Sequence, residues 1–280
     1  MKVAIIQYST YGHITQLARA AKAGVEETGL ATTVDIFQIQ ETLSEEVLGK
    51  LYAPPKPKDI PIATIETLEE YDAFLFGVPT RFGTGAAQFF EFWGATGGLW
   101  MKGALAGKPA GIFVSTGTQG GGQETTVRQS LSFLVHHGMP YIPVGYAKTF
   151  GEVTADEVHG GSPYGAGTYA AGDGSRQPSE LELKVAKIQG NDFATSAIKF
   201  VKASAKPTAS KKTSASNKAT TSAAAVKNKS QAAATNVANT ATTGAAAVKD
   251  KTEAVAKRAE QSKKIAESEE KGFCSKCTIM

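Results

Sequence analysis

Cysteine is nearly missing from this chain: 280 residues hold two, Cys274 and Cys277, both among the last seven positions. A first 273 residues without cysteine excludes a disulfide framework and a cysteine-ligated metal cluster there. No run of eighteen apolar residues occurs, so no bilayer-spanning helix is predicted. The opening residues, Met1-Lys2-Val3-Ala4-Ile5-Ile6, read directly as strand, and no leader peptide is expected. Tryptophan and proline are unevenly spread. Both tryptophans lie before Lys202, and only Pro207 of the prolines lies after it.

That break marks a change of composition. Beyond Lys202 the chain is almost entirely Ala, Lys, Thr, Ser and Glu, so only the first two hundred residues can bury a sizeable core. Charge divides at the same point. Residues 203–280 carry 14 Lys+Arg against 6 Asp+Glu, and residues 1–202 carry 16 against 20. The basicity of the whole belongs to its tail. A mildly acidic globule argues against nucleic acid as a partner. The expected organisation is a folded domain over 1–202, a low-complexity, disordered linker over 203–272, and a terminal signal over 273–280.

Within 1–202, short apolar runs alternate with segments of helical period. Strands are expected at Val3–Tyr8, Thr33–Ile39, Tyr71–Val78, Pro109–Ser115 and Tyr141–Val144. Helices are expected at Ile14–Thr28, around Phe89–Trp93, across Glu124–His137 and over Glu180–Lys202. This is an α/β pattern. It suits a flavodoxin-like doubly wound, five-stranded parallel sheet of order 2-1-3-4-5, with helices on both faces.

Open parallel sheets bind ligands beyond the carboxyl ends of their strands. After the first strand comes Ser9-Thr10-Tyr11-Gly12-His13-Ile14-Thr15, which offers hydroxyls, a turn glycine and the N–H groups of a new helix. Such a loop can cradle a phosphate. It holds no lysine and no G-x-G-x-x-G, which excludes a Walker loop and a Rossmann fingerprint. After the third strand comes Pro79-Thr80-Arg81-Phe82-Gly83, and after the fourth Ser115-Thr116-Gly117-Thr118-Gln119-Gly120-Gly121-Gly122. Three such loops in succession suit a planar heterocycle with a phosphate tail, and FMN is the natural candidate.

The segments STYGHI (9–14), GVPTRFG (77–83), TGGLW (96–100), STGTQGGGQE (115–124), HHGM (136–139) and HGGSPYGAGT (159–168) together resemble the WrbA family of NAD(P)H:quinone oxidoreductases. The resemblance spans about residues 1–200 and continues through GDGSRQPSELEL (172–183). It implies a flavodoxin-like FMN protein with NAD(P)H as co-substrate and a quinone as acceptor. A hydride would pass from NAD(P)H to the flavin, and two electrons from there to the quinone. It also implies a homo-oligomer, usually a tetramer, whose pockets neighbouring subunits complete. Residue by residue, Ser9, Thr10, Tyr11, Gly12, His13 and Ile14 match the phosphate loop, and Tyr11 also meets the nicotinamide cofactor. Thr80, Arg81 and Phe82 match the loop beside the isoalloxazine ring. Ser115, Thr116, Gly117, Thr118, Gln119 and Gly120 match the second ring loop. His136 matches a flavin-contacting histidine, and Trp100 a residue lining the substrate pocket. No side chain is assigned a catalytic role and none binds metal. Gln119 is an extra residue in its loop, Thr84 replaces an Asn, and Gly94 stands where an acidic residue is common. Two other readings remain at this level: a catalytically weak scaffold of the same fold at a membrane, and a one-electron carrier.

The ending Cys277-Thr278-Ile279-Met280 fits a prenylation box, and its terminal Met favours farnesyl. One lipid chain binds membranes only marginally. Palmitoylation of Cys274 and the nearby Lys263, Lys264, Lys271 and Lys276 would supply the second signal. A peripheral protein on the cytoplasmic face of a membrane, with a cytosolic pool, is therefore expected.

Overall fold

A computed structural model describes residues 1–153 and 156–204. The expectations for the linker and the lipidation signal fall, from residue 205 on, outside the described residues.

The elements run β1 (Lys2–Gln7), α1 (His13–Glu27), β2 (Thr33–Gln38), α2 (Glu45–Lys50), α3 (Ile65–Glu70), β3 (Ala73–Arg81), β4 (Thr84–Gly85), α4 (Ala87–Gly94), α5 (Gly97–Lys102), β5 (Ala110–Thr116), α6 (Gln123–His137), β6 (Gly167–Tyr169) and α7 (Glu180–Ser204). The sheet order is β2-β1-β3-β5-β6, with all neighbours on that path parallel. The two-residue β4 pairs antiparallel with the end of β3. The expected fold and order hold.

Strand alternation builds two cores. Val3 and Ile5 face α1 and α7, where they join Ile14, Leu17, Phe113 and Phe193. Ala4 and Ile6 face the other side and join Phe74, Phe76, Trp93 and Leu134. With helices on both faces, the central strands are apolar throughout, as β3 shows from Ala73 to Pro79. On the α1/α7 side the two helix backbones touch. A Cβ on Gly24 would lie 1.9 Å from the Lys187 carbonyl oxygen, and one on Gly190 would lie 2.0 Å from that of Ala21. Only glycine permits that approach.

The fifth strand departs from expectation. Residues 141–144 form no strand: Tyr141 makes one isolated bridge with Ala110. Pro140 and Pro143 lack N–H groups, so the ladder stops after Ile142 N–H donates to the Ala110 carbonyl. The chain loops away and returns to the same edge of β5 as β6, where Val114 pairs with Gly167. The Tyr141 hydroxyl, donating to the Tyr164 carbonyl, ties the two ends of this excursion. Four short elements, α2, α3, β4 and α5, were not foreseen. Among the described residues no helix is long and apolar enough to cross a membrane.

Candidate functional site

The carboxyl ends of β1, β3, β5 and β6 surround one cavity of about 790 Å³, within the ~300–1,000 Å³ range of small-molecule sites. The loops after β1, β3 and β5 meet there as expected. Two further walls were not foreseen: Leu43 and Leu51 on one side, and residues 170–174 on another.

The first loop is an anion cradle. Gly12, with φ of 88°, turns the chain into α1, a left-handed conformation that costs glycine little. Gln16 N–H donates to the Gly12 carbonyl, so the N–H groups of His13, Ile14 and Thr15 have no intrahelical acceptor. The N–H groups of Thr10 and Tyr11 also make no hydrogen bond among the described residues. Ser9 Oγ accepts from Gly12 N–H at 3.0 Å and keeps its own proton to donate. Thr10 Oγ1 accepts from Arg81 Nη2 at 3.0 Å and hydrogen-bonds the Tyr8 hydroxyl. Arg81 pairs with no carboxylate among the described residues. Backbone N–H groups, the Ser9 hydroxyl proton, a helix N-terminus and a guanidinium with no carboxylate among the described residues fit a phosphate monoester. Ile14 contributes only its backbone, because its side chain is fully buried in the core.

The opposite wall suits a flat ring. Phe82 holds φ of 52°, rare for a bulky residue, and its phenyl is wholly exposed over the cavity. Thr126 Oγ1 donates to the Gly122 carbonyl, so at 2.9 Å it accepts the proton of Thr80 Oγ1. The Thr80 lone pairs are thus left toward the cavity. Ser115, Thr116 and Gly117 line the cavity, whereas Thr118, Gln119 and Gly120, on the same loop, are not part of its wall.

Three polar anchors that local sequence did not reveal hold these loops. Gln123 is buried. Its Nε2 donates to Thr116 Oγ1 and the Thr168 carbonyl, and its Oε1 accepts from Gly161 N–H. Glu182, also buried, accepts from Gly160 N–H, Thr168 Oγ1, Ser179 N–H and Arg176 Nη1 at 2.7–2.9 Å. The Arg176 carbonyl in turn faces His13 Nε2 at 2.7 Å, which places the imidazole proton on that nitrogen. The third anchor is the Glu41–Lys56 ion pair, 2.8 Å apart. Burial alone would raise the Glu41 carboxyl, but the Lys56 ammonium, Leu43 N–H and the Tyr8 hydroxyl outweigh it. Together they hold it down at about 2. Burial, with Glu41 adding to it, pushes the Tyr8 phenol up to about 12. Tyr11 completes this side by donating its hydroxyl to the Leu51 carbonyl at 3.1 Å.

Trp100 and His136 do not reach this cavity. They line a separate cleft of about 310 Å³ with Trp93, Thr96, Phe133 and His137. Trp100 is 56% exposed. The neighbouring His137 is buried, with Nε2 2.9 Å from Thr96 Oγ1. Burial first, and His136 second, lower its pKa.

A parallel sheet with an anion cradle and a ring-sized cleft at its carboxyl edge defines a flavodoxin-like mononucleotide-binding protein. The family described as NADPH-dependent FMN reductase matches residues 1–151. The chain belongs to that family. It is 69% identical over 207 residues to NAD(P)H quinone oxidoreductase YCP4 of Candida albicans, covering 74% of this chain and 71% of the relative. It is 57% identical over 191 residues to quinone-oxidoreductase QR2 of Triphysaria versicolor, covering 68% and 91%. Among solved structures, a flavodoxin, WrbA-like protein from Agrobacterium tumefaciens shares the fold. It has a TM-score of 0.50 at 20% identity, covering 71% of this chain and 98% of that one.

Proposed function

We propose that this chain is an FMN-dependent NAD(P)H:quinone oxidoreductase that holds its flavin in the cavity at the carboxyl edge of the sheet. One observation carries the reading: unpartnered phosphate donors and a fully exposed phenyl on a strained backbone share a single cavity. Family membership and relatives named as NAD(P)H quinone oxidoreductases support it.

Bound FMN supplies the two-electron hydride chemistry that no side chain here possesses. The chain's own residues bind, orient and exclude water. Ser9, Thr10, Tyr11 and Gly12, with the backbone N–H groups of His13 and Ile14, take the phosphate, and Arg81 offsets its charge. Thr80, Phe82, Ser115, Thr116 and Gly117, which line the same cavity, would hold the ring. Phe82 presents an apolar face against which a nicotinamide or a quinone can stack in turn. The Gly117 backbone, in the cavity wall, would oppose the negative charge that develops on reduction. Trp100 and His136, remote from their own chain's cavity, serve that of a neighbouring copy in a homotetramer. The lipidated tail, through Cys277 and Cys274, keeps the enzyme at the cytoplasmic face of a membrane, where quinones partition.

The test is anaerobic titration of the purified protein with NADH or NADPH, followed by visible absorbance and then by addition of benzoquinone. The expected outcome is a flavin spectrum bleached by the nicotinamide and restored by the quinone. Absence of flavin absorbance, even after FMN is added, would defeat the reading. For the tether, Cys277→Ser is expected to move the protein to the soluble fraction, and unchanged fractionation would remove that part alone.

A further inference from the structure

The cradle raises a problem of orientation. A loop peptide presents either its N–H or its carbonyl to a ligand, and a carbonyl facing a phosphate repels it. Residues 9–15 hold no cation of their own. Yet Lys56, brought in from 47 residues away, donates from Nζ to the Ser9 carbonyl at 2.6 Å. We propose that Lys56 is a positioning residue for phosphate recognition, fixing the Ser9–Thr10 peptide with its N–H toward the ligand. The proposal rests on the FMN reading above.

Three observations support it. The peptide is trans, as are all others described, so its carbonyl and N–H point to opposite sides. With the Ser9 carbonyl drawn onto Lys56, the Thr10 N–H faces away from the lysine, and it has no hydrogen-bond partner among the described residues. The ammonium itself is held fast. It lies 2.8 Å from Glu41 Oε2 and 4.4 Å from the centre of the Tyr8 ring. Glu41 is steadied in turn by the Tyr8 hydroxyl, by Gln88 Nε2 and by Leu43 N–H. Finally, Glu41 cancels the lysine's charge, so Lys56 contributes direction and Arg81 contributes attraction. Tyr8, Ser9, Thr10, Arg81 and Gln88 all line the cavity, which places this cluster directly behind the cradle.

The experiment compares two ligands that differ only in the phosphate. Full-length protein freed of flavin is titrated with FMN and with riboflavin, and the ratio of their affinities is read. Lys56→Met is expected to weaken FMN about tenfold while leaving riboflavin within about twofold. Lys56→Arg, which can still donate to the carbonyl, is expected to keep the ratio within about threefold of the parent. If Lys56→Met does not fold, Lys56→Gln, whose amide is shorter than the ammonium's reach, takes its place. An unchanged ratio in the Met or Gln variant overturns the proposal. So does an equal loss for both flavins, which would make Lys56 a general support of the fold. Parent protein that binds neither flavin would instead overturn the FMN reading itself.

Discussion

Removing the Glu182 carboxylate tests whether the cavity rim is held from behind. Its side chain is 0% exposed and receives four donors, from Gly160, Thr168, Ser179 and Arg176. Glu182→Ala removes the acceptor of the buried Gly160 N–H, of the part-buried Ser179 N–H and of the Thr168 hydroxyl at 2.7 Å, and takes away the carboxylate partner of Arg176. Breaking a buried pair costs roughly 3–5 kcal/mol. Arg176 is 30% exposed and recovers part of its solvation, which places the expected loss near the low end, about 3 kcal/mol. With a urea m-value of roughly 2–3 kcal/mol/M for a folded unit of this size, the midpoint falls by about 1 M or slightly more. Equilibrium unfolding at one fixed protein concentration reads it, since assembly alters apparent stability. A second consequence is local. The Arg176 carbonyl fixes His13, so flavin affinity should fall as well. Adding Arg176→Ala should restore a measurable part of the stability, because the stranded charge is then gone. A Glu182→Ala midpoint within 0.2 M of the parent (on the order of 0.5 kcal/mol) would refute the reasoning.

Further outcomes follow from other contacts. Gly24→Ala forces α1 and α7 apart at a carbonyl 1.9 Å from the new Cβ. It should lower the melting temperature despite alanine's better helix propensity, with a net cost of about 1–3 kcal/mol. Glu41 is held below its ordinary 4.5, at about 2. Because its folded pKa is depressed, its stabilisation is present above the unfolded value and is lost as pH falls from about 5 toward 2. The stability gap between the parent and Glu41→Gln should therefore narrow across that window, and a constant gap would contradict the assignment. Trp100→Ala should leave flavin content unchanged while altering the KM for quinone, read by steady-state kinetics. Phe82→Gly should relieve the positive φ at 82 and stabilise the loop, yet weaken nicotinamide or quinone binding. Thermal unfolding and KM report the two halves separately.

Sequence revealed those parts of the site whose chemistry is local. Ser9 to Thr15 carry their own turn, hydroxyls and helix start, so the cradle could be read from seven consecutive letters. The loops at 79–83 and 115–122 follow apolar strands whose ends were visible, and strand order placed all three together. Long-range partners left no such trace. Glu182 sits beside Glu180 in the first turn of α7, where an acidic residue needs no further explanation. The Ser179-x-x-Glu182 spacing marks a capping box, which the reciprocal bonds of Ser179 and Glu182 complete, but nothing local tells that the same carboxylate also ties down Gly160, Thr168 and Arg176. Lys56 and Glu41 lie in a stretch of polar and proline residues that reads as loop, and only the folded chain brings them behind Ser9. Periodicity also misplaced the fifth strand. Tyr141–Val144 has the apolar character of a strand, but Pro143 within it and Pro140 before it cannot donate to a ladder. Gly167–Tyr169 has little of that character, yet it completes the edge because β5 still offers unpaired groups there.

Trp100 and His136 raise a different question, since the structure places them in a cleft apart from their own chain's cavity. A tryptophan 56% exposed, in a cleft with His136, beside a Met101 that is 82% exposed, is apolar surface an isolated chain has no use for. The proposed tetramer would account for both facts at once, by burying the exposed ring against the cavity of a neighbouring copy. The consequence is a complementation test. Mixing a Trp100→Ala chain with a chain whose cradle is disabled by Gly12→Val should restore quinone turnover above that of either variant alone. A mixture no better than its parts, with mixed oligomers demonstrated, would mean that each chain completes its own site.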